Sequence, residues 1–315
     1  MGKNFFSFGW LPVLLCLTAV PVSGQIALKV QTSQEKFLQY EPILVRISMR
    51  NQSGHPLAFG EHAALRGSLR FEIVSNSGAY VHPRPGTAPE VKGLILQPGA
   101  RQSLTFDISR YYDLHKTDSY TVKAVIAHPQ MKKEYESDKI LFSVVRGMPV
   151  WESVVGVPKY LLDKTPDLIP TRQYRIVSYS TGKRFLYALV IEDKDRVYLV
   201  RKVGMNFGAN LPPQCAVDDL SRLNLVMAAS PKVFVFYQFD INGKLEKKEV
   251  RVRTDTAPRL VTNHDVGTVV LSGGRPARPD LDYEEIESLP FASNAIKGGK
   301  DKKPARGLLD ENIPD

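Results

Sequence analysis

The sequence predicts an all-β chain: an N-terminal two-sheet sandwich, a second antiparallel β domain of two similar meanders, and a disordered C-terminal tail. Three observations carry that reading. Apolar and polar residues alternate in short runs, the period of a strand with one buried face. Turn formers such as Gly54-His55-Pro56, Asn76-Ser77-Gly78 and Gln97-Pro98-Gly99 separate the runs. A strand–turn–strand–hairpin–strand pattern then recurs at an offset of 49 residues, and no helix is needed.

The 315 residues suit about two domains of roughly 100–200 residues each. Hydrophobic residues make up 43%, and 22 Gly with 22 Pro exclude a collagen-like chain. Lys and Arg number 42 against 33 Asp and Glu, a net charge of +9.

Residues 1–24 read as a secretory signal with cleavage after Gly24. Lys3 supplies the positive start, Phe5 to Val20 the apolar stretch, and Val22-Ser23-Gly24 the cleavage site. That places the protein in a secreted or periplasmic setting. Gly9 and Pro12 interrupt a stretch too short for a membrane span, and no later run is apolar enough for one. Beyond the leader a single thiol, Cys215, excludes an internal disulfide, so buried cores must supply the stability.

Strands are expected at Ile26–Gln31, Ile43–Arg50, Leu69–Ser75, Ser103–Ile108, Ser119–Ala127 and Ile140–Val145. Ile43, Val45, Ile47 and Met49 share one face by the two-residue period, as do Tyr120, Val122, Ala124 and Ile126. In residues 25–146, Leu96-Gln97-Pro98-Gly99, Ser103–Ile108 and Asp118–Ala124 form a "Leu-x-Pro-Gly … Tyr-x-Val" pattern. It resembles immunoglobulin-like domains of secreted bacterial proteins, and macroglobulin-type and BsuPI-type inhibitor domains. Asp118 stands where those domains usually carry Gly. The resemblance implies a β-sandwich, an adhesion, scaffold or inhibitor role, no catalytic residues, and a Tyr120 hydroxyl bonded to upstream backbone.

Residues 147–171 read as a connector, broken by Pro149, Gly156, Pro158, Pro166 and Pro170, yet too apolar to be free. Trp151 in it is expected to plug the space between the domains, with sugar stacking as its alternative role. The second domain spans 172–272. Ile176–Lys183 overlays Leu225–Lys232, Phe185-Leu186-Tyr187 overlays Phe234-Val235-Phe236, and Asp193-Lys194 overlays Asn242-Gly243. Asn242-Gly243 is the strongest hairpin signal, because both residues tolerate positive φ. From residue 273 to 315 prolines, paired glycines and charge runs leave too little to bury, so a disordered tail is expected.

Lys247, Arg251 and Arg253, with Glu249, share one face of the last hairpin strand, and Lys183-Arg184 and Arg201-Lys202 add charge in the matching meander. Such a stripe suits an anionic envelope polymer, lipid headgroups or an acidic protein, or is simply a solvated sheet face. Nucleic-acid motifs are absent. His55, Glu61, His62 and His82 lack zinc spacing, so no metal or cofactor is expected. No nucleophile elbow or phosphate loop occurs. Asn51-Gln52-Ser53 is a glycosylation sequon, meaningful only in a eukaryotic secretory pathway.

The expected function is therefore an exported, non-enzymatic interaction protein of the bacterial envelope, binding an envelope or extracellular protein. One alternative is an inhibitor or accessory subunit of a secreted hydrolase, acting through the Pro83–Pro89 loop. The other is a carbohydrate-active enzyme with a site between the domains.

Overall fold

The computed structural model describes residues 25–162, 169–263, 265–279 and 281–282, so the expected leader and most of the expected tail lie outside the described residues. The N-terminal half forms β1 (Ile26–Thr32), β2 (Lys36–Leu38), β3 (Leu44–Asn51), β4 (Leu57–Phe59), β5 (Ser68–Ser75), β6 (Leu94–Leu96), β7 (Arg101–Asp107), β8 (Asp118–Ala127), β9 (Tyr135–Glu136) and β10 (Ile140–Val145). One sheet has the order β1-β3-β7; the other has β2-β10-β8-β5, with β9 added to β8. Among the described strands only β2 pairs in parallel, against β10.

Alternation places the core between these sheets. Val45, Ile47 and Met49 of β3 face Tyr120, Val122, Ala124 and Ile126 of β8, all almost fully buried in one cluster with Phe71 and Phe142. Their opposite faces carry Arg46, Ser48 and Lys123, exposed or half-buried. The two short strands β4 and β6 pair with each other at the rim.

The second half continues through β11 (Met148–Gly156), β12 (Thr171–Ser180), β13 (Phe185–Glu192), β14 (Val197–Met205), β15 (Gln214–Val217), β16 (Leu223–Ala228), β17 (Val233–Phe239), β18 (Leu245–Val252), β19 (Arg259–Asn263), β20 (Thr268–Ser272) and β21 (Arg275–Pro276). The sheet β11-β12-β13-β14 packs on β15-β16-β17-β18-β21. Tyr174, Ile176, Leu189 and Ile191 from the first meet Leu223, Leu225, Met227 and Phe239 from the second. The all-β class is thus that of the structure.

Three boundaries differ from the sequence reading. The expected connector begins as β11, an edge strand paired with β12 from Met148 against Ser178 to Gly156 against Thr171. Pro149 is tolerated because it sits on an edge, with a bulge between Pro149 and Trp151. The expected tail starts later than residue 273. Arg275–Pro276 pairs with β18, and the Arg275 guanidinium makes two bonds, of 2.7 and 2.6 Å, to Asp282. Finally, the 49-residue overlay holds only for the first strand of each meander. Ile176 opposes Leu189 and Leu225 opposes Tyr237, so the second strands correspond one residue closer. Tyr187 faces the main core, whereas its overlay partner Phe236 lies in an outer cluster with Phe234. That outer cluster is covered by Leu260 and Leu271 of the β19–β20 hairpin.

The domains are fused rather than strung. Every residue of Leu186–Ile191 in β13 is buried, which requires cover on both faces of its sheet. One face is the second domain's core. On the other, Leu38 and Val145 of the first domain pack on Val177, Tyr179, Leu186, Ala188, Val190 and Val200. Gly147 turns the chain here with φ 74°. A Cβ on it would lie 3.2 Å from Leu38 Cδ1, Ser178 O and Val177 Cβ, so the crossing is closely packed. Among the described residues, no helix is long and apolar enough to cross a membrane.

Candidate functional site

The site grows from one strained turn. After β2 the chain reverses over Leu38–Glu41, with Glu41 N donating to Leu38 O at 2.9 Å. Tyr40, the third residue, has φ 65°. A turn with positive φ there normally carries Gly or Asn, since a bulky side chain is strained in that region. The neighbours hold it. Gln39 N donates to Val145 O (2.8 Å), and Gln39 Nε2 to His115 O (2.6 Å). Glu41, 8% exposed, turns into the domain junction.

There its carboxylate accepts from Leu38 N (2.8 Å), Gln34 Nε2 (2.9 Å) and the Tyr179 hydroxyl (3.1 Å), and it pairs with Lys202. Lys202 also donates to Gln34 Oε1 at 2.8 Å. Burial pulls the Lys202 ammonium below its ordinary value, against the opposing pull of Glu41. Burial, reinforced by Glu41, pushes the Tyr179 hydroxyl well above the phenolic range. The junction is therefore a packed apolar plate with one closed polar network.

Tyr40 itself points the other way, 44% exposed, its ring stacked on His115 with centroids 4.7 Å apart. Arg84 Nη2 lies 2.9 Å from His115 Nε2, and a guanidinium only donates, so Nε2 accepts in this contact. Tyr40, His115 and Gln39, with Lys116, Thr117 and Arg146, line a groove of about 690 Å³, and Asp113 stands on its wall. That volume lies within the range of ligand sites, roughly 300–1,000 Å³. Lys116 and Arg146 are exposed and have no carboxylate partner among the described residues.

The residues singled out from sequence lie elsewhere. Trp151 sits on β11, half-buried against the second domain's own core, not between the domains. Lys247, Glu249 and Arg251 share a face of β18, but the charges close on each other. Lys247 pairs with Glu249 at 3.2 Å, and Arg251 Nε bonds Glu249 at 2.7 Å while its Nη1 bonds Gly273 O at 2.9 Å. Lys247 also lies over the Phe236 ring, 5.7 Å from its centroid. Arg253 is exposed just past the strand end. The Tyr120 hydroxyl donates to Lys116 O, four residues upstream, at 2.9 Å. Tyr120 thereby fixes the backbone of the groove's Lys116. No group of three or more potential metal ligands gathers among the described residues. The Pro83–Pro89 segment is pinned at its start, with Arg84 N bonded to Tyr111 O at 2.7 Å.

Asn242 and Gly243 form the hairpin turn between β17 and β18, where Asp240 Oδ1 accepts from Asn242 N (2.9 Å) and Lys244 N (2.7 Å). Gly243 has φ 85°, and a Cβ there would lie 2.8 Å from Leu199 Cβ. Gly243→Ala is expected to cost about 1–3 kcal/mol, the range for a bulky residue held at positive φ. Urea unfolding reads it, and an unchanged midpoint would contradict the assignment. Burial pushes the Cys215 thiol from 9.0 up to about 12. The unfolded thiol ionises first, so this stabilisation is intact below about pH 9 and is lost between about 9 and 12. The urea midpoint is expected to fall through that window, less steeply in Cys215→Ala. Equal slopes would count against the burial of the thiol.

Tyr40, Glu41 and Lys202 were not legible as a site. Lys202 reads in the sequence as one more solvated charge beside Arg201, and Tyr40 as a loop residue before Glu41-Pro42. The available signal was a four-residue turn between strands that lacks Gly and Asn. Comparison with known proteins finds no matching family model, no matching curated protein and no matching solved structure.

Proposed function

We propose that this chain is an exported, non-enzymatic interaction protein of the bacterial envelope, and that the Tyr40–Arg146 groove is its partner-binding surface. The observation that carries the reading is Tyr40 at φ 65° with its ring half-exposed. Strain of this kind, of order 1–3 kcal/mol, persists where surrounding structure over-determines it and clusters at binding sites. Gln39 and Glu41 supply that over-determination, and the ring gains little burial in return.

The fused junction suits the same role. The lining belongs wholly to the first domain, and the packed junction at Leu38 and Val145 steadies the segments that flank it, which lowers the ordering cost of binding. The leader-like residues 1–24 and the resemblance of residues 25–146 to secreted immunoglobulin-like domains support export and a scaffold role.

The test is site-specific photo-crosslinking in a bacterial host, using the full chain with a photoreactive residue in place of Thr117. A discrete adduct is expected at Thr117 and not at Lys248 on the far sheet. The same background at both positions would remove the groove as a partner surface.

A further inference from the structure

We infer that the groove receives an extended acidic segment of a partner protein, its carboxylates held by Arg146 and Lys116 and its backbone or side chains lying on Tyr40. The inference rests on the function proposed above and names the chemistry of the occupant.

Charge is the first argument. Arg146 and Lys116 line the same groove, both exposed and without a carboxylate partner among the described residues. Many other cations of the molecule are already matched. Arg70 and Lys123 share Glu72, Glu134 and Glu136, Arg172 holds Asp193, and Lys247 and Arg251 hold Glu249. Arg84, behind the groove, is engaged with His115. Asp113 is the one acid on the wall, 3.8 Å from His115 Nε2, so the lining keeps an excess of positive charge. An arginine offers a planar fork that matches a carboxylate with two parallel bonds.

Shape and polarity decide between a peptide and an acidic sugar polymer. The groove is an open trough rather than an enclosed cavity, so it suits a chain that passes along it. A sugar polymer would bring many hydroxyls that need partners once they leave water. The lining offers few, because one Gln39 amide N–H is spent on His115 O and one face of Tyr40 is stacked on the imidazole. What remains is the Tyr40 and Thr117 hydroxyls, the Gln39 Oε1, one carboxylate and two cations, and the cations are the only groups without a matching charge. That set satisfies Asp or Glu side chains better than a run of hydroxyls.

The test is fluorescence anisotropy on the full chain with a labelled hexaglutamate peptide, with hexalysine and trigalacturonate as the other probes. Hexaglutamate is expected to bind, more weakly as salt rises, and hexalysine to stay free. Arg146→Glu and Lys116→Glu are each expected to weaken hexaglutamate at least about tenfold, the scale of losing a charged contact. Tyr40→Gly is expected to weaken it several-fold with a thermal midpoint equal to or above the parent's, because glycine relieves the positive φ. A lower midpoint would make Tyr40 a structural residue and overturn its part. Groove-dependent binding of trigalacturonate in place of hexaglutamate overturns the peptide assignment, as does hexaglutamate binding that the reversals leave unchanged. If hexaglutamate fails while the Thr117 crosslink persists, the acidic-peptide inference falls and the partner surface stands; loss of the crosslink removes both.

Discussion

Glu41→Ala is expected to lower stability by about 3–5 kcal/mol, the scale for removing one partner of a buried ion pair. The change takes an acceptor from Leu38 N, the Tyr179 hydroxyl and Gln34 at once, and leaves the Lys202 ammonium in a site that already penalises its charge. Lys202→Met is expected to cost a similar amount, for the mirror reason. Replacing both together, Glu41→Leu with Lys202→Met, is expected to cost far less than the two single changes added, since no uncompensated charge remains. Urea unfolding of the four proteins gives the coupling. Additive single effects below about 1 kcal/mol each would show that the junction does not depend on this network. Because Glu41 also closes the turn that carries Tyr40, the single variants are expected to weaken hexaglutamate binding as well.

The second large effect is expected at Asn51. Its side chain is fully buried and uses every hydrogen-bonding position it has. Nδ2 donates to His55 O and Leu96 O, each at 2.8 Å, and Oδ1 accepts from Ser53 N (2.9 Å) and Ser53 Oγ (2.6 Å). It ties the end of β3 to β6 across the rim of the first sandwich. Asn51→Ala is expected to cost about 2–4 kcal/mol, since buried partners left unmade cost about 1–3 each. A loss below about 1 kcal/mol would contradict the network's role. The same geometry speaks to the sequon at Asn51-Gln52-Ser53. With Nδ2 buried and engaged, the folded chain offers no acceptor amide; a glycan attached before folding would block this rim from closing.

Legibility followed the physics of each signal. The six longer strands of the first domain were read to within about two residues, because one buried face and one wet face impose a clear period of two, whereas the two- and three-residue strands β2, β4, β6 and β9 are too short to show a period. The reading failed where both faces are covered. Leu186–Ile191 is a continuous apolar run, and without alternation it announced a strand but not the plate that fuses the domains. The connector failed for the opposite reason. Pro149 and the bulge beside it look like breaks, yet an edge strand needs only one ladder. The repeat slipped because a turn can lose a residue without changing strand spacing. Ser180 pairs with Phe185 five residues on, whereas Ala229, its overlay partner, closes on Val233 four residues on, so the first turn of the second meander is one residue shorter. The groove stayed hidden because it is tertiary: Gln39 and Tyr40 come from one turn, His115, Lys116 and Thr117 from a loop, and Arg146 from a strand end.

Between Val145, where β10 ends, and Met148, where β11 begins, only Arg146 and Gly147 intervene. So short a join gives the halves no tether on which to drift, and it shapes what proteolysis or gene truncation would produce. A fragment starting at Met148 would carry Val177, Tyr179, Leu186, Ala188 and Val190 as a bare oily sheet, a surface prone to clumping. Nicking at Gly147 should therefore leave two pieces that stay together until denatured, each serving as the other's chaperone.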